Sequence, residues 1–431
     1  MANGSHSSHL LGTLLAALLI IVGIGRSWAQ ISATLPAPSG KNSVGRVSFH
    51  WVDPKRPELA TEADDKREIV AQVWYPAARP GRKTGSYMPG VESMASSAAA
   101  DSLSHLFGPI WGSITSNEVR THSFDGAPVA SETRLPILIF SPGGGVPVVA
   151  YTTQLEDLAS HGYVVIGVDP MFEAPGVVLP DGRVVTHAQD YWNRLRRQKA
   201  NGDEFERHLT DLSAEDIRFV VDKLQDLDQE KGSIFRRKLA LGRIGVFGHS
   251  RGGRNAVRAC QIDDRIKACL NQDGNMGWQP FWLDQSGRSL KQPFMMVDHL
   301  DPDPPEEAFA QMGTTREEYV KRRSVRQAEA RQKLYETIEG GSYHVKIKTP
   351  GVSHNSFCDI RLLGRPDGAG INAWPADVRA ATPNGQILKA IRSWTRAFFD
   401  KTVRGIPGPL DELLRIRSSE IEVLPILQSL R

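Results

Sequence analysis

The hexapeptide Gly248-His249-Ser250-Arg251-Gly252-Gly253 constrains this chain more than any other stretch. It follows the apolar run Arg243–Phe247 and precedes a helical pattern at Arg254–Cys260, so it fits G-x-S-x-G in the strand–turn–helix setting that gives the pattern its meaning. The reason is steric. Strained backbone at such a turn lifts the serine hydroxyl off the sheet. Gly248 and Gly252 are required because a Cβ at either would strike the neighbouring strand or helix. A helix starting at Arg251 also turns its first N–H groups and its positive dipole end toward the reacting centre. A glycine-rich turn with an incidental serine is the bland alternative, and the flanking strand and helix weigh against it.

The rest of the chain supplies a matching frame. Leu135–Phe140, Tyr163–Asp169, Ile266–Leu270, Phe294–Val297 and Tyr343–Ile347 are short apolar runs. Helical patterns at Thr152–Ser160, Glu204–Leu227 and Arg316–Ile338 lie between them, and Ile387–Phe399 supplies a last one. Strands buried on both faces lose their alternation. Strand–helix alternation therefore predicts an α/β fold with a mostly parallel central sheet flanked by helices. Val47–Trp51 and Ile69–Tyr75 do alternate and are expected to form an N-terminal antiparallel pair, partly wet on one face. Residues 78–116, rich in Ser, Gly and Ala, are expected to be irregular, with a short helix near His105.

Hydrophobic residues make up 40% of the 431 and charged residues 23%, with a formal net charge of +3, so the chain has ample material for a core and is not disordered as a whole. No concentrated basic face argues for nucleic acid. The charged segment 316–333 mixes signs and is read as a solvated cover helix within an insertion at about 300–341. We expect a signal peptide over 1–29, a linker over 30–45, and a single catalytic domain over 46–431.

Leu10–Gly25 carries no charge and is short for a membrane span, which wants about 20 residues. Small residues at Ser27 and Ala29 place cleavage after Ala29, giving a secreted or periplasmic protein, with an uncleaved N-terminal anchor as the alternative. Three cysteines are too few for a disulfide scaffold and show no metal-ligand spacing. Cys260 and Cys269 are read as buried apolar side chains, and no metal or cofactor is expected.

A serine needs a base near pH 7, and in the order Ser, acid, His only His299, His344 and His354 follow Ser250. His354 lies in the loop just past the last predicted strand, where its imidazole can reach Ser250; His344 lies inside that strand, and His299 past an earlier one. Two strand ends offer an acid, Asp273 and Asp298, and position alone does not choose between them. Oxyanion donors are expected from the backbone N–H of Arg251 and from the loop Ser141–Gly145, with Gly144 first and Gly143 second.

These residues resemble the plasma-type (isoform II) platelet-activating-factor acetylhydrolases and their bacterial relatives. The resemblance rests on Val73–Pro76, Phe140–Gly145, Leu155–Val165, Pro180–Val185, Gly248–Gly253, Asn271–Gly274 and Ser353–Asp359, and it covers roughly Val47 to Phe399. It implies an α/β-hydrolase fold, places the acid on Asp273 and the loop donor on Gly144, and implies no metal. It also implies hydrolysis of short or oxidised acyl esters of phospholipids, or of other small esters. The chain departs from the family at Pro142, where histidine is common, and over Met276–Arg288.

The expectation is therefore a secreted serine ester hydrolase acting on short-acyl esters and sn-2 short-chain phospholipids. Met276, Trp278, Phe281 and Trp282 are candidate substrate-lining residues, with ordinary packing as the rival reading. The apolar stretch Leu106–Trp111 is a candidate for transient contact with a lipid surface. A polyester hydrolase or peptidase with the same triad, and a hydrolase-fold binding protein with an idle triad, are the alternatives.

Overall fold

The computed structural model describes residues 35–61, 64–130, 134–198, 202–274, 289–300, 303–304, 306–336, 338–363, 384–416 and 418–424. Its strands are β1 (Ser43–Pro57), β2 (Lys66–Ala77), β3 (Ser123–Asp125), β4 (Leu135–Ser141), β5 (Val164–Val168), β6 (Gly176–Val178), β7 (Val184–Thr186), β8 (Leu239–His249), β9 (Ile266–Gln272), β10 (Phe294–His299), β11 (Ser342–Ile347) and β12 (Ile421–Leu424). Ten of them form one sheet in the order β12-β11-β10-β9-β8-β4-β5-β2-β1-β3, while β6 and β7 pair separately. The six strands from β11 to β5 run parallel. β1 and β2 pair antiparallel with Val47 opposite Val73, as their alternation demands, and β2 joins β5 antiparallel.

The parallel strands are apolar because both faces are covered. All seven residues of β4 are buried. Leu138 and Phe140 project into one core with Leu155, Leu158, Trp394 and Phe398, while Ile137 and Ile139 project into the other with Ile217, Val221, Ala256 and Val257. The period-2 geometry of a strand thus feeds two cores from one run. Helices α1 (Thr152–Ser160) and α6 (Asn384–Thr402) cover the first, and α2 (Gly202–Gln229) and α3 (Arg251–Ile262) the second. Each large apolar side chain so buried contributes about 1.5–3 kcal/mol relative to exposure. This is the α/β-hydrolase arrangement. In the insertion, two helices follow β10, α4 (Glu306–Gln311) and α5 (Arg316–Glu336). Arg316 and Arg323 both pair with Asp303 there.

Three expectations need correction. Residues 78–116 hold more helix than the short one expected near His105: besides Ala100–Phe107, which contains His105, helices span Val91–Ala95 and Trp111–Thr115. Leu103, Phe107, Ile110 and Ile114 anchor them in the core, and the small residues between dilute the pattern without breaking it. The end of the expected linker is docked. Ser39 N–H donates to Asp157 at 2.7 Å, and Gly40 N–H to the Ser160 hydroxyl at 2.9 Å, both on α1. Cys260 and Cys269 are buried as expected but joined in a disulfide between α3 and β9, leaving Cys358 as a buried thiol.

The strand order reverses direction between β4 and β8, since β5 lies to one side and β9, β10 and β11 to the other. In parallel α/β sheets the crevice at such a switch point, beyond the strand C-termini, is where ligands bind. The loop after β4 and the turn after β8 both emerge there.

Candidate active site

Ser250 is the one residue between β8 and α3, with φ 56° and ψ −123°. Backbone of that kind in a non-glycine residue stores about 1–3 kcal/mol and persists only where its surroundings enforce it. Here they do. A Cβ on Gly248 would lie 2.2 Å from Gly252 O, and one on Gly252 would lie 2.0 Å from Ser141 O. The helix start, the β8 terminus and the β4 loop therefore close on one another only through glycine. Ser250 N–H donates to Gln272 O at 2.8 Å, which ties the turn to the end of β9.

Asp273 follows β9 directly, is buried, and also holds a positive φ of 54°. Its carboxylate receives two imidazoles. His354 Nδ1 lies 2.5 Å from Oδ2, and His299 Nδ1 lies 2.9 Å from each oxygen, with the His299 N–H 3.3 Å from Oδ1. Burial alone would push the Asp273 pKa up; the hydrogen bonds from His299 and His354 overcome it and hold the carboxyl well below the ordinary value. Asp298, the alternative from strand position, is taken by His344 at 3.0 Å instead. The geometry therefore gives His354 to Asp273.

His354 opens a short 3-10 turn, His354–Phe357, behind a reciprocal cap of Ser353 and Ser356. Its side chain is 46% exposed, so one edge of the ring is held by buried Asp273 while the rest meets solvent. The ring lies 4.5 Å from that of His249, the residue before Ser250. One donor or acceptor atom from each of His249, Asp273 and His354 lies within 4.8 Å of the others. Among the described residues this is the cluster spaced nearest to a metal site. Both Asp273 oxygens already accept imidazole N–H groups, which suits proton handling rather than coordination.

The loop after β4 treats the two glycine candidates differently. Gly143 N–H donates to the Tyr151 hydroxyl at 3.0 Å, and Gly145 N–H to Glu173 Oε1 at 3.0 Å. Gly144 is exposed, and among the described residues no acceptor takes its N–H. Arg251 N–H is the first amide of α3, where no intrahelical acceptor exists. The Arg251 guanidinium pairs with Glu173 and Glu206, and Glu206 also holds Arg254. Glu173 thus grips both Gly145 and Arg251 and fixes the loop against the turn. A cavity of about 30 Å³ lies behind this loop, lined in part by Ser141, Gly144, Asp169 and Arg251. It has room for a water or two and none for an ester. Buried Asp169 there is pushed up to about 6 by desolvation.

Sequence reasoning did not anticipate Glu173, Tyr151 or His299 as a partner of Asp273. No motif marks the first two, and His299 was weighed as a rival base. Met276, Trp278, Phe281 and Trp282 lie outside the described residues.

A model of the family described as platelet-activating factor acetylhydrolase, isoform II, matches residues 28–360. The chain belongs to that family. A probable 1-alkyl-2-acetylglycerophosphocholine esterase of Arthroderma benhamiae is 26% identical over 170 residues, 37% of each chain. A platelet-activating factor acetylhydrolase of Cavia porcellus is 26% identical over 164 residues, 34% of this chain and 36% of that one. The matched stretch thus spans little more than a third of the length of these two relatives. A solved structure, the ferulic acid esterase from Streptomyces cinnamoneus, superposes with a TM-score of 0.66 at 26% identity, covering 91% of this chain and 99% of that one.

Proposed function

We propose that the chain is a serine carboxylic-ester hydrolase that acts on short-acyl esters, including sn-2 short-chain phospholipids, through an acyl-enzyme on Ser250. His354 accepts the Ser250 proton as the hydroxyl oxygen attacks the ester carbonyl. Asp273 holds the imidazole by Nδ1, leaves Nε2 for the serine, and stabilises the imidazolium without being protonated. The N–H groups of Gly144 and Arg251 receive the oxyanion, each such donor being worth about 2.7–4 kcal/mol in the transition state. The tetrahedral intermediate collapses, the C–O bond to the alcohol breaks, and His354 returns the proton to the leaving oxygen. Water, deprotonated by His354, then attacks the acyl-serine and releases the acid and free Ser250.

One observation carries this reading: His354, hydrogen-bonded to Asp273, sets its ring 4.5 Å from that of His249, the residue before the strained Ser250. Family membership and the esterase neighbour support the reaction class. The test is an ester panel of p-nitrophenyl acetate, butyrate and octanoate, an sn-2 acetyl phospholipid and methyl ferulate. It is run on the wild type and on Ser250→Ala, with fluorophosphonate labelling alongside. Turnover that falls with acyl length and vanishes in Ser250→Ala supports the proposal. Methyl ferulate outpacing every acetyl ester would move the substrate to aromatic acids. An absence of both turnover and label would leave an idle hydrolase-fold binding protein.

Export with cleavage after Ala29 is part of the proposal. The Cys260–Cys269 disulfide supports it, because such bonds persist in oxidising compartments. N-terminal sequencing of the mature protein is the check, with Gln30 expected first.

A further inference from the structure

A buried polar line joins the two loops that flank Ser250. Gly143 N–H donates to the Tyr151 hydroxyl at 3.0 Å, and that hydroxyl lies 2.8 Å from His249 Nδ1. Both side chains are buried. The hydroxyl has one proton and, among the described residues, one acceptor within reach, so it donates to Nδ1. Burial, with the Cys358 thiol nearby, pushes the Tyr151 pKa well up, so the donor keeps its proton. Nδ1 must then be bare. Burial, reinforced by His354, drives the His249 pKa well below its ordinary value. The ring is therefore neutral and carries its proton on Nε2. His354 meets the same ring, 4.5 Å away and tilted by 40°, and its backbone also acts on His249. Phe357, from the same short turn as His354, stacks on His249 at 5.4 Å and 10°.

Resting on the serine-hydrolase reading, we infer that His249 and Tyr151 are a positioning pair that couples the oxyanion loop to the base turn. Tyr151 takes the Gly143 amide, which leaves Gly144 as the loop's free donor. His249 presents a neutral, tautomer-locked ring to His354, so the base gains its proton with no second cation against it. Neither residue touches substrate. The charged or titratable groups facing the His249 ring are His354, Asp273, His299 and Tyr151.

The test uses Tyr151→Phe, His249→Leu, their double variant, and His249→Asn, whose amide oxygen keeps an acceptor near the Nδ1 position. Tyr151→Phe and His249→Leu should each lower kcat on p-nitrophenyl acetate about 10–100-fold with KM nearly unchanged. The double variant should be no worse than the poorer single, and His249→Asn should recover most of the loss. Nitrogen NMR of the histidines in the wild type should show His249 still neutral and Nε2-protonated below pH 6.5, where an ordinary imidazole is mostly charged. Additive losses, unchanged kcat, or an Nδ1-protonated His249 would each overturn the pairing. The NMR reading needs neither turnover nor a folded variant. It separates a failure of this inference from a failure of the hydrolase reading, which the lost label of Ser250→Ala tests.

Discussion

At Ser250 the chain is held by backbone against backbone, whereas at His354 it is held by side chains. The nucleophile turn closes through Gly248 and Gly252 against Ser141, with distances that leave no room for a methyl group. The base turn is fixed by the Ser353–Ser356 cap, by Arg361 donating to the Ser353 hydroxyl at 2.5 Å, and by Asp273. The first arrangement cannot adjust, because a peptide has no rotamers. The second can, because hydrogen-bonded side chains swap partners at modest cost. Substitutions at the nucleophile turn should therefore cost folding, and substitutions around the base should cost rate.

Asp273→Asn tests the second half of that contrast most severely. We expect kcat to fall about 10⁴-fold, because an amide that donates to His354 favours the wrong tautomer. Thermal unfolding alongside will show whether the fold survives; a loss under tenfold would remove Asp273 as the orienting group. Gly252→Ala tests the first half. Its Cβ would lie 2.0 Å from Ser141 O, so we expect a loss of at least about 3 kcal/mol in urea unfolding. An unshifted midpoint would show that the turn has slack after all.

Asp359→Asn sharpens the comparison by pH. Asp359 lies just past the base turn, accepts the Thr153 N–H at 3.1 Å, and is pushed up to about 7 by burial. Its folded pKa exceeds the unfolded value of 3.8, so the folded state binds more protons between pH 4 and 7. Stability from this group falls as pH rises through that window and is flat above it. The variant should thus gain most at pH 8, on the order of 2 kcal/mol, and little at pH 4. An equal change at both values would show that Asp359 stays ionised throughout. The smallest effect is expected for His299→Phe, about tenfold in kcat, since His354 still holds the carboxylate. A loss as large as that of Asp273→Asn would make His299 an equal partner.

What the sequence revealed follows the same division. Leu135–Phe140 and Arg243–Phe247 announced buried strands because both faces of the sheet are covered, and the glycines at 248 and 252 announced a close approach because only absent Cβ atoms permit it. Local sterics are written locally. Side-chain partnerships are not. Asp273 and Asp298 looked alike until the register brought His344 alongside Met296 and within 3.0 Å of Asp298. Cys260 and Cys269 gave no pairing signal, since their meeting depends on β9 turning back along α3. Tyr151 lies in no motif, so nothing local announced its place between Gly143 and His249. The helices Val91–Ala95 and Trp111–Thr115 were hidden because Ser, Gly and Ala diluted a pattern carried by only a few anchors, Val91, Met94 and Ile114 among them.

The second imidazole on Asp273 changes what the base turn is free to do. A buried anion stripped of its sole partner costs several kcal/mol, which would pin any half-exposed histidine in place. With His299 also on the carboxylate, Asp273 keeps a proton donor even if its bond to His354 is lost. The buried charge is thereby insured twice, once by the ring nearest the solvent and once by the ring behind it.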